Sequence, residues 1–232
     1  EAKVVENYGG KMIFTPGDII YSSTKLLNLS EPNLDTFKIL NLMSRNKIKF
    51  SDLNKSLKSL DNIKVHVVGD IIVDTYTKTN LIGGNTKTPT PSVLFQEKND
   101  FVGGAGVVAK HLAEAGAKVT LTTVFGDDHL KDIVLTNLKK DKIKVNPIVD
   151  ANRPTTNKNT ITAGEYKILK IDKLENLPIS DKILKKIKNH ILKENCDIII
   201  FSDFRHGIFN KKSINELNKS IKKRIFKAAD SQ

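Results

Sequence analysis

One cysteine, Cys196, in 232 residues has nothing to pair with inside the chain, which excludes an internal disulfide framework and suits a reducing cytoplasm. Cys196 comes just before the apolar run Asp197-Ile-Ile-Ile-Phe201, which marks it as a small buried hydrophobe rather than a nucleophile. Long apolar runs are missing as well: none approaches the roughly 20 residues that a membrane-crossing helix needs. The first residues show neither a basic-then-apolar leader nor an Arg-rich transit segment. Arginine is scarce, with only Arg45, Arg153, Arg205 and Arg224 among 38 basic residues. That scarcity counts against a nucleic-acid partner despite a net charge of +12, because arginine supplies the bidentate contacts to phosphates and bases. The lysines are spread over amphipathic segments rather than gathered with aromatics, and an anionic small substrate suits the same charge.

What is present is an ordinary folding composition, 39% hydrophobic and 28% charged, enough for one domain with a good core or for one and a half. Three regions follow one another. Residues 1–30 hold a strand-like stretch at Lys11–Phe14, a Thr15-Pro-Gly-Asp18 turn, and the hydroxyl step Ser22-Ser23-Thr24 into a short helix. Residues 31–62 read as a linker of two helices, about 33–45 and 51–59, capped by Asn33 and Ser51. From Ile63 onward, residues 63–232 alternate β-rich runs at 64–68, 118–124, 144–146 and 197–201 with helical periodicity at 105–116, 128–141, 180–194 and 211–222. That alternation predicts an α/β fold, a parallel sheet with helices on both faces. Residues 80–100 and 153–172 break the rhythm with short Gly-, Pro- and Thr-punctuated segments, which predicts a small antiparallel flap beside the main sheet.

Four motifs could carry chemistry. In Val68-Gly-Asp-Ile-Ile-Val-Asp74, Asp70 and Asp74 follow a strand end, where open α/β sheets bind ligands. They either accept hydrogen bonds from hydroxyl groups or, more plainly, cap a turn and meet solvent. In Phe101-Val-Gly-Gly-Ala-Gly106, Gly103 and Gly104 precede a helix, so a ligand could approach bare backbone N–H groups at the positive end of its dipole. Glycines needed for a turn are the alternative, and no Gly-Lys-Ser/Thr follows to make a Walker A loop. His111 in that helix has no second ligand at metal-binding spacing. The segment Arg153-Pro-Thr-Thr-Asn-Lys158 offers two cations and several hydroxyls before a strand pair, either a phosphate cradle or a solvated loop. Asp203 in Ser202-Asp-Phe-Arg-His-Gly207 follows the most apolar strand, the place of a binding loop or of a loop that caps the next helix before Asn210.

Taken in order, these motifs, with Gly126-Asp-Asp128 between them, resemble the PfkB carbohydrate kinases over residues 63–232, most of all the heptose-phosphate kinase branch associated with ADP-heptose synthesis. The resemblance implies a ribokinase-like fold with a β lid that closes over a sugar, with ATP and Mg2+ as cofactors of the parent protein. It implies that Asp74, Gly103 and Gly104 contact the sugar, that Lys158 and Arg153 lie near a substrate phosphate, and that Asp203 lies at the floor of the site. An exposed lid strand could pair two copies of the chain. Departures from the family pattern stand at Val107, where an asparagine is usual, and at Arg205-His206, where a lysine is usual and whose charges could replace it. The family's Asn-x-x-Glu and Gly-Ala-Gly-Asp segments would lie beyond Gln232. The expectation is therefore of a chain cut short, its catalytic base unassigned, and inactive by itself.

Residues 17–25 resemble the late helix-start motif of cytidylyltransferase-type enzymes, which implies that Ser22, Ser23 and Thr24 bind nucleotide phosphates. Both resemblances together imply a bifunctional kinase and nucleotidyltransferase acting on a sugar or sugar phosphate and a nucleotide. Alternatives are a simple-sugar or nucleoside kinase of the same fold and a non-catalytic sugar-binding module.

Overall fold

The computed structural model describes residues 34–84 and 90–231. The readings made for Ser22, Ser23 and Thr24, for the rest of 1–30 and for the Asn33 cap lie outside the described residues. The chain divides into two units, Glu1–Leu53 and Asn54–Gln232. Helix α1 spans Leu34–Arg45, and α2 spans Phe50–Lys58 across the division. Ser51 does not cap α2 as expected. Lys49 occupies the cap position, and its N–H donates to Asp52 Oδ2 at 2.9 Å, so an acid one turn inside the helix does the capping.

The second unit is built on five parallel strands, β1 (Lys64–Gly69), β4 (Lys118–Phe125), β5 (Lys144–Val149), β8 (Ile198–Asp203) and β9 (Phe226–Ser231), in the order β5-β4-β1-β8-β9. The β5 run was expected to stop at Asn146, before Pro147, but it continues to Val149. Pro147 is tolerated because β5 is an edge strand and its missing N–H interrupts no second ladder. Helices α3 (Ala105–Glu114) and α4 (His129–Lys140) cover one face of the sheet. Helices α5 (Asp181–Lys193) and α6 (Lys211–Ser220) cover the other.

Each face has its own core. Val65, Val67, Val119 and Leu121 pack with Ala109 of α3 and with Leu130, Val134 and Leu138 of α4. On the reverse face Val68, Val124 and Ile199 meet Ile183, Leu184, Ile187 and Ile191 of α5, and Cys196 is buried in the same cluster. Ser180 caps α5 by accepting from Ile183 N–H. A cap contributes about 1 kcal/mol, whereas each buried aliphatic side chain contributes about 1.5–3 kcal/mol, so the apolar stripe holds this helix. His66 lies fully buried in the middle of the sheet, its Nε2 2.8 Å from Thr122 Oγ1. Burial lowers its pKa to about 4 against the upward pull of Glu194, so the ring is neutral at pH 7.

The expected flap is larger than the sequence suggested. β2 (Ile71–Gly84), β3 (Pro91–Gly104), β6 (Asn157–Ala163) and β7 (Tyr166–Lys173) form a four-stranded sheet in the order β3-β2-β6-β7. It is also mixed rather than antiparallel, because β6 runs parallel to β2. Register shifts at Lys78/Thr79 and at Ile161/Thr162 mark bulges at one level of the lid, where paired strands bend. β2 starts two residues after β1 ends, and β6 follows β5 by a short loop, so the lid rises from the C-terminal edge of the parallel sheet. Strand order reverses between β1 and β8, which opens the crevice where doubly wound sheets take ligands. Among the described residues no helix is long and apolar enough to cross a membrane.

Candidate functional site

The motif residues fall into two clusters. The first lies on one face of the lid. Asp74 is not in a loop after a strand; it is the fourth residue of β2. In register across the four strands stand Phe101, Asp74, Lys158 and Asp172, and in the row beyond stand Asn99, Tyr76, Thr160 and Lys170. Paired residues and residues two apart share a face of a pleated sheet, so these side chains converge. The Tyr76 and Phe101 rings meet edge to face, 5.9 Å between centroids. A hollow of about 500 Å³ opens here, lined by Asp74, Tyr76, Lys158, Thr160, Lys167 and Lys170 among others. That is the size range of small-ligand sites.

Gly103 and Gly104 end β3 rather than forming a loop ahead of α3. A Cβ on Gly103 would collide with the Asp74 carboxylate, so the bare backbone is what lets that acid lie across it. Gly104 turns the chain with φ +56°, a left-handed value that L side chains rarely adopt. The turn lets Ala105 N–H donate to Asp70 O at 2.9 Å, so the first helical N–H of α3 already has a partner. Burial raises the Asp74 carboxyl above its ordinary range, while the Lys158 and Lys170 charges draw it down and Asp172 pushes it up. A carboxylate beside two ammonium groups and an aromatic edge can accept hydroxyl protons and hold an anion at the same time.

The second cluster lies at the crevice between β1 and β8, where the chain itself engages Asp70 and Arg153. Asp70 is held by the loop after β8. It is 2% exposed, and its Oδ2 accepts the N–H groups of Phe204 at 2.9 Å and His206 at 3.1 Å. The adjoining cavity is only about 10 Å³. Burial raises its carboxyl above the usual range, against the pull of those N–H groups. Arg153 is engaged by the chain as well. Its Nε pairs with Asp150 at 3.3 Å, Nη1 donates to His206 O at 3.2 Å, and Nη2 donates to Leu177 O at 3.1 Å.

Asp203 ends β8, its Oδ1 accepting Arg205 N–H at 2.8 Å and its Oδ2 the Ser231 hydroxyl at 2.9 Å. Arg205 is exposed, but His206 cannot supply a replacement cation. It is buried, and burial lowers its pKa, helped by the nearby Lys158 charge. Gly126-Asp-Asp128 and Pro154-Thr-Thr156 prove to be one construction. Thr155 Oγ1 accepts Gly126 N–H at 3.0 Å, and Asp128 Oδ2 accepts Thr155 N–H at 2.9 Å while the same side chain caps α4. Asn210 caps α6, so the loop after β8 does start the next helix, one of its two expected readings.

Sequence reasoning missed Tyr76, Thr160 and Lys170. The signal was alternation from Asp74 and Lys158, visible only once 71–84 is read as one strand. Another hollow of about 440 Å³ lies at the opposite, N-terminal edge of the sheet, among Lys64, Lys118 and Lys144, and shares no motif residue.

The family profile of the pfkB carbohydrate kinases matches residues 62–228. The chain belongs to the pfkB family of carbohydrate kinases. That match begins beyond residues 1–30, and the nucleotidyltransferase resemblance there draws no support from it. Relatives include the bifunctional protein HldE of Desulfatibacillum aliphaticivorans, 29% identical over 164 residues that cover 68% of this chain and 33% of that protein. The D-beta-D-heptose 7-phosphate kinase of Bordetella bronchiseptica is 27% identical, over 64% of this chain and 47% of its own length. The chain thus spans less than half the length of either relative. Among solved structures, Escherichia coli phosphofructokinase-2 in complex with fructose-6-phosphate superposes with a TM-score of 0.55 at 14% identity, covering 74% of this chain and 55% of that one. Its tetrameric inhibited form gives 0.56 at 13% identity, covering 73% and 55%. At such identities the likeness is one of fold, and it agrees with the ribokinase-like α/β architecture expected from the sequence.

Proposed function

We propose that this chain carries the sugar-binding part of an ATP-dependent kinase that acts on a phosphorylated sugar of the heptose 7-phosphate kind. The observation that carries the reading is the register of Asp74 and Lys158 on adjacent strands of one lid face. The carboxylate accepts sugar hydroxyls, Gly103 lets the ring approach the backbone, and Lys158 with Lys170 draws the phosphate already on the substrate. The Tyr76 and Phe101 edges offer an apolar wall to the sugar. Family membership and the names of the relatives support the kinase activity and the bifunctional kinase and nucleotidyltransferase context. ATP enters the proposal through the family. So does Mg2+, since no group of Asp, Glu, His or Cys among the described residues is arranged to hold a metal ion.

Titration calorimetry of the chain with heptose 7-phosphate and with the unphosphorylated heptose tests the reading. The phosphorylated sugar is expected to bind about tenfold or more tightly, the contribution of one charge-assisted contact. Equal affinity for the two would remove the phosphate from the substrate class.

A second reading, a non-catalytic sugar-binding module, is favoured by one observation: the buried, neutral His206 stands where a lysine is usual in the family. Binding of the sugar by the complete parent protein without ATP-dependent turnover would select it. The other face of the lid carries exposed Phe95 and Ile171, which supports a homodimer through the lid, measurable by light scattering in solution.

A further inference from the structure

Two stretches join the β6–β7 half of the lid to the body of the fold, residues 150–156 before β6 and residues 174–180 after β7. Both converge on the loop that follows β8. From the first stretch, Arg153 donates to His206 O at 3.2 Å and to Leu177 O at 3.1 Å, and its Nε is held by Asp150. From the second, Asn176 Oδ1 lies 2.8 Å from His206 Nδ1, and Ile179 N–H donates to Gly207 O at 3.0 Å. From beneath, Asp70 takes the His206 N–H. One residue, His206, is therefore bonded to the body of the fold through its N–H, to the entering connection through its C=O, and to the leaving connection through its ring.

The ring is fixed in state as well as in place. With Asn176 Oδ1 as acceptor, Nδ1 is the protonated nitrogen and Nε2 keeps its lone pair. Nε2 is buried and makes no hydrogen bond. Asp70, Arg153, Thr156 and Glu175 line the small cavity beside the residue, and the charges of Lys158, Asp172 and Asp203 act on the ring from the lid and the strand end. The aligned Nδ1 contact is what this side chain supplies.

We propose that His206 is a positioning residue that fastens the β6–β7 half of the lid, and with it Lys158, to the loop that begins at Asp203. Arg153 and Asn176 are its partners in this joint. The consequence for substrate binding rests on the function proposed above; the fastening does not.

Amide hydrogen exchange followed by mass spectrometry on the full chain tests this without any substrate. His206→Leu removes the ring contact, and Asn176→Leu removes the same contact from the other side. Both are expected to accelerate exchange across residues 157–173 by about tenfold, the effect of one buried hydrogen bond, and to leave β1 and β4 as in the wild type. His206→Asn puts an amide N–H near the place of Nδ1 and should stay within about twofold of the wild type. If His206→Leu does not fold, Asn176→Leu against His206→Asn decides. Acceleration confined to the loop after β8, acceleration shared equally by β1 and β4, or His206→Asn exchanging as fast as the leucine variants would each overturn the proposal. The joint can fail this test while sugar binding survives, and sugar binding can fail while the joint stands.

Discussion

Asp70 and Asp74 lie in one motif, as do Arg153 and Lys158 in another, yet in each pair the fold uses the two side chains differently. Asp70 and Arg153 sit at the crevice, where β1, β8 and both lid connections cross, and backbone donors and acceptors engage them there. Asp74 and Lys158 are carried a few residues further, onto a lid face that no layer of this unit covers, beside an open hollow. The difference teaches that a charge next to a strand end is structural when the chain must cross it and free for a ligand when a sheet lifts it clear. Burial raises the carboxyl pKa of both acids. The N–H groups of Phe204 and His206 oppose the shift at Asp70, and the Lys158 and Lys170 charges oppose it at Asp74.

Breaking the crevice side should cost most. Asp70→Ala leaves the buried His206 N–H and the part-buried Phe204 N–H without an acceptor and is expected to lower unfolding stability by about 4 kcal/mol, measured by urea denaturation. A loss under about 1 kcal/mol would mean that Asp70 does not hold the loop.

The core beneath the crevice responds to acid through His66. Its folded pKa of about 4 lies below the unfolded 6.5, so its neutral form favours folding above pH 6.5, and that contribution is lost as pH falls toward 4. The stability advantage of the wild type over His66→Gln should shrink by about 3 kcal/mol across that window. No change would mean that the ring titrates as if unburied.

On the lid side stability should hardly move while binding does. Asp74→Asn is expected to change unfolding stability by under about 1 kcal/mol and to weaken sugar binding by about 10- to 100-fold, as for a hydrogen bond to a charged group. Lys158→Met sharpens the contrast at the smallest scale. It should cost about tenfold in affinity for a phosphorylated sugar, nothing for the plain sugar, and within about 0.5 kcal/mol in stability.

The alternation from Ile63 onward was enough to find the four helices and four of the five strands of the parallel sheet, because hydrophobic period is a local property, but β9, with only Phe226 and two alanines for apolar residues, was not found. Pairing is not local, so the parallel β2–β6 ladder and the continuation of β5 through Pro147 were hidden. The extent of the lid was hidden too. Gly69-Asp70 reads as punctuation, and after the three apolar residues Ile71-Ile72-Val73 the strand turns to one acid, threonines and a lysine, so nothing announces its length. Of the candidate site, Asp74, Gly103 and Lys158 were singled out through motif order, and the structure brings them together. That Asp70 and Arg153 hold the loop after β8 was not legible, because spacing does not reveal that this loop folds back over them. His206 could not be read as a joint, since Asn176, its partner, carries no motif at all.

Calorimetry with heptose 7-phosphate on the wild type, Asp74→Asn and Arg153→Lys tests the central division most directly. The account predicts that Asp74→Asn loses about 10- to 100-fold in affinity while Arg153→Lys, where folded, loses less, through the loosened lid joint alone. The reverse order, or an Asp74→Asn variant that binds as the wild type does, would contradict it.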